Sequence, residues 1–380
     1  MAEDGIKLHR GLREVYIDRT KSSFIDGKAG KLYYRGYNID DLARNCSFEE
    51  VIFLVMMGNL PTVEELSDFK KELVANMELS DAALEIIRIT KSAHPMDVLR
   101  TTISALSAFD PDVDDNSAEA TLRKGTRLTA QAPTIVSAHA RIRQGKEPVP
   151  PDPNLGLAGN FLYMLFDKKP SHDEMKLMDV DFIIHAEHGP NASAFAVRVA
   201  ASTVTDLHAA IVGGIGVLKG PAHGGAAESV MKMALEIGHP DNTTKYVNDL
   251  VENGGRVMGF GHRVYKVEDP RVRHLRDRAH ALAMEKGNPE WFQILTRLED
   301  ESMKPLRAKG VFVNVDFYAG AIYYLLGIPE DLFIPMFALG RIPGWTLQCM
   351  EQYSNNILIR PLAEYTGSMD LEYVPFEDRL

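Results

Sequence analysis

The sequence predicts a mainly α-helical protein, and three observations carry that reading. Helix-start signatures recur from one end of the chain to the other, strand signals are confined to one short hairpin, and the strand–helix alternation of a parallel sheet is missing. With 380 residues, 45% of them apolar, the chain can bury one large core or two of ordinary size.

Near the N-terminus, Phe24-Ile25-Asp26-Gly27-Lys28-Ala29-Gly30-Lys31-Leu32-Tyr33-Tyr34 reads as the hairpin, with Asp-Gly supplying the turn. Ser47 with Glu50 forms a capping box ahead of the apolar run Val51 to Met57, and Gly58 is placed to stop that helix. Thr62 with Glu65 repeats the device and opens a helix reaching about Met77. Apolar periodicity then predicts helices near 81–92, 97–108, 118–144, 156–166, 172–189, 191–212, 224–237, 242–253, 271–286, 289–301, 316–326, 330–339 and 343–355. Val311 to Val313 and Tyr373 to Pro375 read as short extended pieces, and the prolines of 147–154 make a stiff surface connector. Glycine is dense in 213–225 and 254–261; both clusters are expected to flank helices and to let one helical block move against another.

Lys and Arg number 42 against 53 Asp and Glu, a net charge of −11, and no basic block is present. A general nucleic-acid binder is therefore not expected, although a few well-placed arginines still suffice to bind a small anion. Cys46 and Cys349 lie far apart without metal-ligand spacing, which fits a reduced, cytoplasmic protein better than a disulfide scaffold. The start Met-Ala-Glu-Asp-Gly lacks the charge and apolar run of a signal peptide, and the run Val51 to Met57 is too short to span a bilayer.

Five stretches combine polar groups with glycine or proline: His185-Ala-Glu-His188-Gly-Pro-Asn191, Lys219-Gly-Pro-Ala-His223-Gly-Gly225, Met258 to Lys266 with Asp269-Pro-Arg271, Asn314-Val-Asp316, and the late Arg341 and Arg360. Singly, each has a structural explanation. His185 and His188, three apart on one predicted helical face, fit a hydrogen-bonded helix end, and zinc would need a third ligand of recognisable spacing. His223 fits a cap beside a glycine turn, His262 a loop histidine bonded to backbone, and Asp316 the N-cap of the following helix. Arg341 and Arg360 fit ordinary ion pairs. Gly214-Ile-Gly216-Val-Leu-Lys-Gly220 is one residue too long for a dinucleotide fingerprint and follows a helical pattern instead of a strand.

Together and in this order, HxxHxxN at His188, KGPxHGG at His223, GFGHRVYKxxDPR from Gly259 to Arg271, Asn314-Val-Asp316, Arg341 and Arg360 resemble the citrate synthase family. The segment FIDGKAGKLYYRGY from Phe24 extends the likeness, which is greatest to the short bacterial and archaeal members. The resemblance implies a two-domain helical fold, with residues 1–222 plus 328–380 as the large domain and 223–327 as a smaller one closing over the substrates. It implies His223, His262 and Asp316 as catalytic groups, and His188, Arg271, Arg341 and Arg360 as the hold on oxaloacetate. Arg256, Val257, Met258, Gly259, Phe260 and Lys266 would lie along coenzyme A, with Gly224 and Asn314 near the thioester. The implied activity joins acetyl-CoA to oxaloacetate and hydrolyses the citryl thioester. The CoA thioester is then a co-substrate, with no permanent cofactor and no metal.

Arg360 would reach the neighbouring subunit's site, which implies a homodimer. No extra N-terminal domain is evident, so control by NADH of the kind found in longer, hexameric members is not expected. Gln348 stands where the family usually has histidine, Val313 where it has proline, and Ala227 where asparagine is frequent. Three other functions stay open on the residues alone: a 2-methylcitrate synthase using propionyl-CoA, a non-catalytic helical protein binding CoA or a dicarboxylate, and a metal-dependent hydrolase built on His185 and His188.

Overall fold

The structure, a computed structural model, describes residues 7–12 and 14–379; the start read above for a leader lies outside them. Three short antiparallel strands, β1 (Ser23–Asp26), β2 (Lys31–Tyr34) and β3 (Tyr37–Asn38), pair in that order. The turn between β1 and β2 spans four residues, not the two of an Asp-Gly hairpin. Asp26 Oδ1 accepts the amides of Lys28 at 3.0 Å and Ala29 at 2.8 Å, which uses the Asp to close a wider loop.

Sixteen α-helices follow among the described residues: α1 (Ile39–Asn45), α2 (Phe48–Met57), α3 (Val63–Ala75), α4 (Asp81–Ile89), α5 (Pro95–Leu106), α6 (Ala118–Ile142), α7 (Leu157–Phe166), α8 (His172–His185), α9 (Ala192–Ser202), α10 (Leu207–Leu218), α11 (Ala226–Ile237), α12 (Thr243–Glu252), α13 (Val272–Glu285), α14 (Pro289–Leu306), α15 (Asp316–Leu325) and α16 (Phe333–Ser354). The fold is thus mainly α, as predicted. Both capping boxes form, at Ser47/Glu50 and Thr62/Glu65, and Gly58 ends α2 in the left-handed region at φ 101°. None of the helices described is long and apolar enough to cross a membrane.

Four expectations are corrected. The helix expected over 191–212 is two, because Val204 adopts φ 63° and Asp206 restarts the chain as an N-cap, its side chain accepting the Ala209 amide. The two segments expected at 330–339 and 343–355 are one helix, α16, which passes through Pro343. Gly213, Gly214 and Gly216 lie inside α10, so only 220–225 of that cluster connects helices. Gly214 sits where a Cβ would come within 2.7 Å of Val197 and 3.1 Å of Trp345, which makes it a close-packing point and not a hinge. The Tyr373–Pro375 segment forms no strand.

Helix α16 runs through the centre of the core, with Trp345, Leu347 and Cys349 inaccessible and α2, α6, α8, α9 and α10 around it. Its approach to α8 is so close that a Cβ on Gly344 would lie 2.1 Å from the Ala186 carbonyl oxygen. Helices α11 to α15 form a second group, in which α15 packs between α11 and α13. Past α16 the described residues form no further α-helix or strand, only a short 3-10 turn at Phe376–Asp378, and Leu362, Tyr365, Met369, Leu371, Tyr373 and Phe376 are all largely open to solvent. The two cysteines are free and buried.

Candidate active site

Helix α8 stops at His185, and His188 lies in the loop that follows, so the two histidines do not share a helical face. His185 Nδ1 donates to the Asp181 carbonyl at 2.7 Å; burial holds its pKa down to about 3, and it is the hydrogen-bonded helix end expected of it. His188 bonds through Nε2 to the Tyr265 hydroxyl at 3.1 Å and meets the His262 ring edge-on, with centroids 5.1 Å apart. Burial, then Arg271, drives its pKa well below the usual histidine value. The third motif position, Asn191, caps α9 by accepting the Ala194 amide.

His223 arrives from the glycine-rich connector, where a Cβ on Gly224 would lie 2.3 Å from the Leu218 carbonyl oxygen. Its Nε2 faces Ser193, with the Ser193 amide at 3.4 Å and the hydroxyl at 3.0 Å. An amide can only donate, so Nε2 accepts and the ring proton sits on Nδ1. The partner is the N-terminal turn of α9, whose dipole disfavours imidazolium. Burial, followed by Arg341, lowers the His223 pKa to about 4.

The same logic fixes His262. Its Nδ1 accepts two backbone amides, from Val264 at 3.0 Å and Tyr265 at 3.1 Å, so the proton of the neutral ring is on Nε2. Burial and Arg271 bring its pKa to about 4. The loop that carries it is tied down by an antiparallel bridge between Phe260 and Val313, and the Gly261 amide donates to the Phe312 carbonyl at 2.7 Å. Val311 to Val313 is thus extended, as expected.

Asp316 opens α15, but it does not cap it. The Asp316 amide is satisfied by the Asn314 side chain at 3.2 Å, so the capping role belongs to Asn314, which also donates to the Gly261 carbonyl at 3.0 Å. No other described residue hydrogen-bonds the Asp316 carboxyl, which is met only by its own backbone amide. Burial raises its pKa to about 6, against the pull of Arg271 and Arg341. It therefore titrates where a base of moderate strength is useful.

Arg271 and Arg341 are buried, at 3% and 1% exposure. Arg271 is held bidentate by Asp269, at 2.9 and 2.6 Å. Burial opposes the charge of Asp269, yet Arg271 keeps that carboxylate ionised. Arg341 donates through Nε to the His185 carbonyl and lies over the Phe337 ring at 4.7 Å, while its Nη2 is buried without a partner among the described residues. Burial lowers even this guanidinium to about 10.

Arg360 stands apart, exposed on the extended tail with no ion pair among the described residues. Arg256 and Lys266 are also exposed; Val257 and Gly259 are buried, and Met258 and Phe260 partly so. Gln348 is built in: its Oε1 accepts from Arg198 at 2.9 Å and its Nε2 donates to Glu187 at 3.0 Å. Val313 is buried in the bridge, and the Ala227 backbone lies against Gly320 of α15. Ser193, Tyr265, Asp269 and Phe337 were not singled out from the sequence as site residues. Tyr265 and Asp269 lie inside the GFGHRVYKxxDPR stretch, whereas nothing but proximity in the fold marks Ser193 or Phe337. Among the described residues no group of three His, Cys, Asp or Glu could hold a metal ion.

Two buried arginines, three histidines kept neutral and a carboxyl of raised pKa are groups suited to acid–base chemistry on an anion. Residues 11–362 match the family model for the citrate synthase C-terminal domain. The chain is 43% identical to the citrate synthase of Haloferax volcanii, with 98% of this chain and 99% of the relative covered. It is 40% identical to 2-methylcitrate synthase 1 of Corynebacterium glutamicum, covering 98% and 99%. The citrate synthase of Thermoplasma acidophilum, solved as a ternary complex with carboxymethyl coenzyme A and oxaloacetate, superposes with a TM-score of 0.94 at 31% identity, covering 98% of this chain and 100% of that one. The chain belongs to the citrate synthase family and is an acyltransferase of that type.

Proposed function

We propose that the protein condenses an acyl-CoA with oxaloacetate, using Asp316 as base, His223 as the donor to the thioester oxygen and His262 as the donor to the ketone. The observation that carries this is that Asp316, a carboxyl titrating near pH 6, feels Arg271 and Arg341, the same two arginines that act on His262 and His223, two neutral imidazoles whose ring protons are fixed by backbone amides. Asp316 removes a proton from the acyl α-carbon while charge develops on the thioester oxygen, where His223 Nδ1–H donates. The enol carbon then attacks the ketone, forming the new C–C bond. His262 Nε2–H polarises that ketone and passes its proton to the alkoxide, leaving an imidazolate that the two amide donors at Nδ1 stabilise and that takes back the proton Asp316 removed. Water then cleaves the citryl thioester and releases CoA.

Arg271, Arg341 and His188 hold the oxaloacetate carboxylates, each charge-assisted bond contributing roughly 1.5–3 kcal/mol. Arg360 completes the hold in the other subunit of a homodimer. The open apolar side chains of the tail support that assembly, since so large an exposed apolar surface marks an interaction site. Residues 223–327 act as the closing domain, with Arg256 to Phe260 and Lys266 along CoA, Gly224 and Asn314 beside the thioester, and no resident metal or cofactor. The protein works in the cytoplasm.

Relatives of both names at about the same identity favour use of propionyl-CoA as well. One methylene shifts pocket energy by only about 1–3 kcal/mol. The test is CoA release with oxaloacetate, comparing acetyl-CoA and propionyl-CoA by kcat/KM. Release with acetyl-CoA is expected, and no release with either thioester would end the proposal.

A further inference from the structure

We infer that the Asp26–Gly30 turn of the N-terminal hairpin is a positioning element for His262, acting through the backbone of residues 264–267; this rests on the role proposed for His262. Three consecutive amides of that loop are committed. Val264 and Tyr265 donate to His262 Nδ1, and the next one, Lys266, donates to the Gly27 carbonyl at 2.8 Å. Whatever shifts the third amide moves the other two, and those two orient the imidazole and keep its proton on Nε2.

The contact is as close as backbone can approach backbone. A Cβ on Gly27 would lie 2.4 Å from the Val264 carbonyl oxygen, and one on Gly30 would lie 2.8 Å from Val267 Cγ2 and 3.2 Å from the Glu268 oxygen. Both glycines of the turn therefore face the His262 loop, and neither leaves room for a methyl group. Asp26 makes the turn stiff enough to serve as a stop, because its carboxylate takes the two amides between the glycines. The bond runs backbone to backbone across more than 230 residues of sequence, and the two glycines are its mark in the hairpin.

The measurement uses the full-length protein, Gly27→Ala to force the loop away, and Asp26→Ala to loosen the turn without adding bulk. For each variant kcat, the oxaloacetate Kd and the carbonyl resonance of bound [2-13C]oxaloacetate are recorded; the last reports how strongly the ketone is polarised. Gly27→Ala should lower kcat by about 10- to 100-fold, the scale of a small misplacement of a catalytic group. Its Kd should move by less than about three-fold, because Arg271 and Arg341 are untouched. Its carbonyl resonance should retreat towards that of free oxaloacetate, and Asp26→Ala should show the same pattern in smaller measure. A loss of kcat with the resonance unchanged would reduce the turn to a packing contact and overturn the inference, as would wild-type kcat in both variants. If Gly27→Ala does not fold, Asp26→Ala decides by the same criteria. Wild-type protein that binds oxaloacetate without shifting the resonance would instead sink the role of His262, which separates the two failures.

Discussion

Asp316→Asn should make the protein more stable and much less active at the same time. The carboxyl titrates at about 6 in the fold against 3.8 ordinarily, a difference of roughly 2 units or about 3 kcal/mol. The sign follows from which state binds the proton more tightly. The folded state does, so ionising Asp316 costs folding free energy, and that cost is complete above pH 7. Asparagine has nearly the same shape, its side-chain oxygen can still accept the residue's own amide, and no other described residue bonds the carboxyl. The variant should therefore gain about 1–3 kcal/mol at pH 8, falling to about half at pH 5, about a fifth at pH 4 and almost nothing by about pH 3, while condensation drops by about 10²-fold or more. Urea unfolding of both proteins at one concentration, repeated across this pH range, measures the first effect, and CoA release measures the second. A variant less stable than wild type at pH 8, or a gain that does not change with pH, would refute the idea that burial is what tunes Asp316.

The remaining predictions concern the rest of the site. Because Asp316 must be ionised to act, kcat/KM should fall tenfold per pH unit below about 6. The histidines, held neutral at about 4 or lower, should add no second limb above pH 5. Arg360→Ala should raise the oxaloacetate KM about tenfold or more, as loss of one charge-assisted bond requires. Heterodimers co-expressed from Arg360→Ala and Asp316→Asn chains should regain one working site in two; no recovery would mean that Arg360 serves its own subunit. Gln348→Leu strips Glu187 of one donor and Arg198 of one acceptor, and thermal melting should show a loss of about 1–3 kcal/mol. Gln348→His, which restores the residue usual in the family, should lose less.

What the sequence disclosed depends on the reach of the interaction. Ser47/Glu50 and Thr62/Glu65 act over three residues, and both helices begin where these signatures stand. The break at Val204 was hidden because the residues on either side of 203–206 are alike in apolar pattern; the legible mark was Asp206, a capping residue inside the predicted helix. Pro343 misled in the opposite direction. It reads as a boundary, yet the packing of α16 against its neighbours outweighs the lost hydrogen bond. Helix α1 went unseen because it is seven residues long and buries only Ile39, Leu42 and Ala43, too few for a periodicity. In the site, the motif order pointed to His188, His262, Arg271, Arg341 and Asp316. The Ser193 amide behind His223 and the Tyr265 hydroxyl on His188 are long-range contacts that residue identity does not encode, whereas the cap at Asn314 is local and was masked by Asp316, an equally good capping residue two places on.

Arg341 has a further consequence, for how readily the fold opens. Its guanidinium is buried on α16, Glu187 lies near enough to favour its charge, and Nη2 still finds no acceptor among the described residues. The chain thus folds around a cation that it does not neutralise. Under the proposed function the oxaloacetate dianion would do so, and a ligand bound by the folded state alone adds stability with its concentration, about 2.7 kcal/mol at a hundredfold excess over Kd. If oxaloacetate binds there as proposed, protein held without it should be the more readily opened and cut by an added protease.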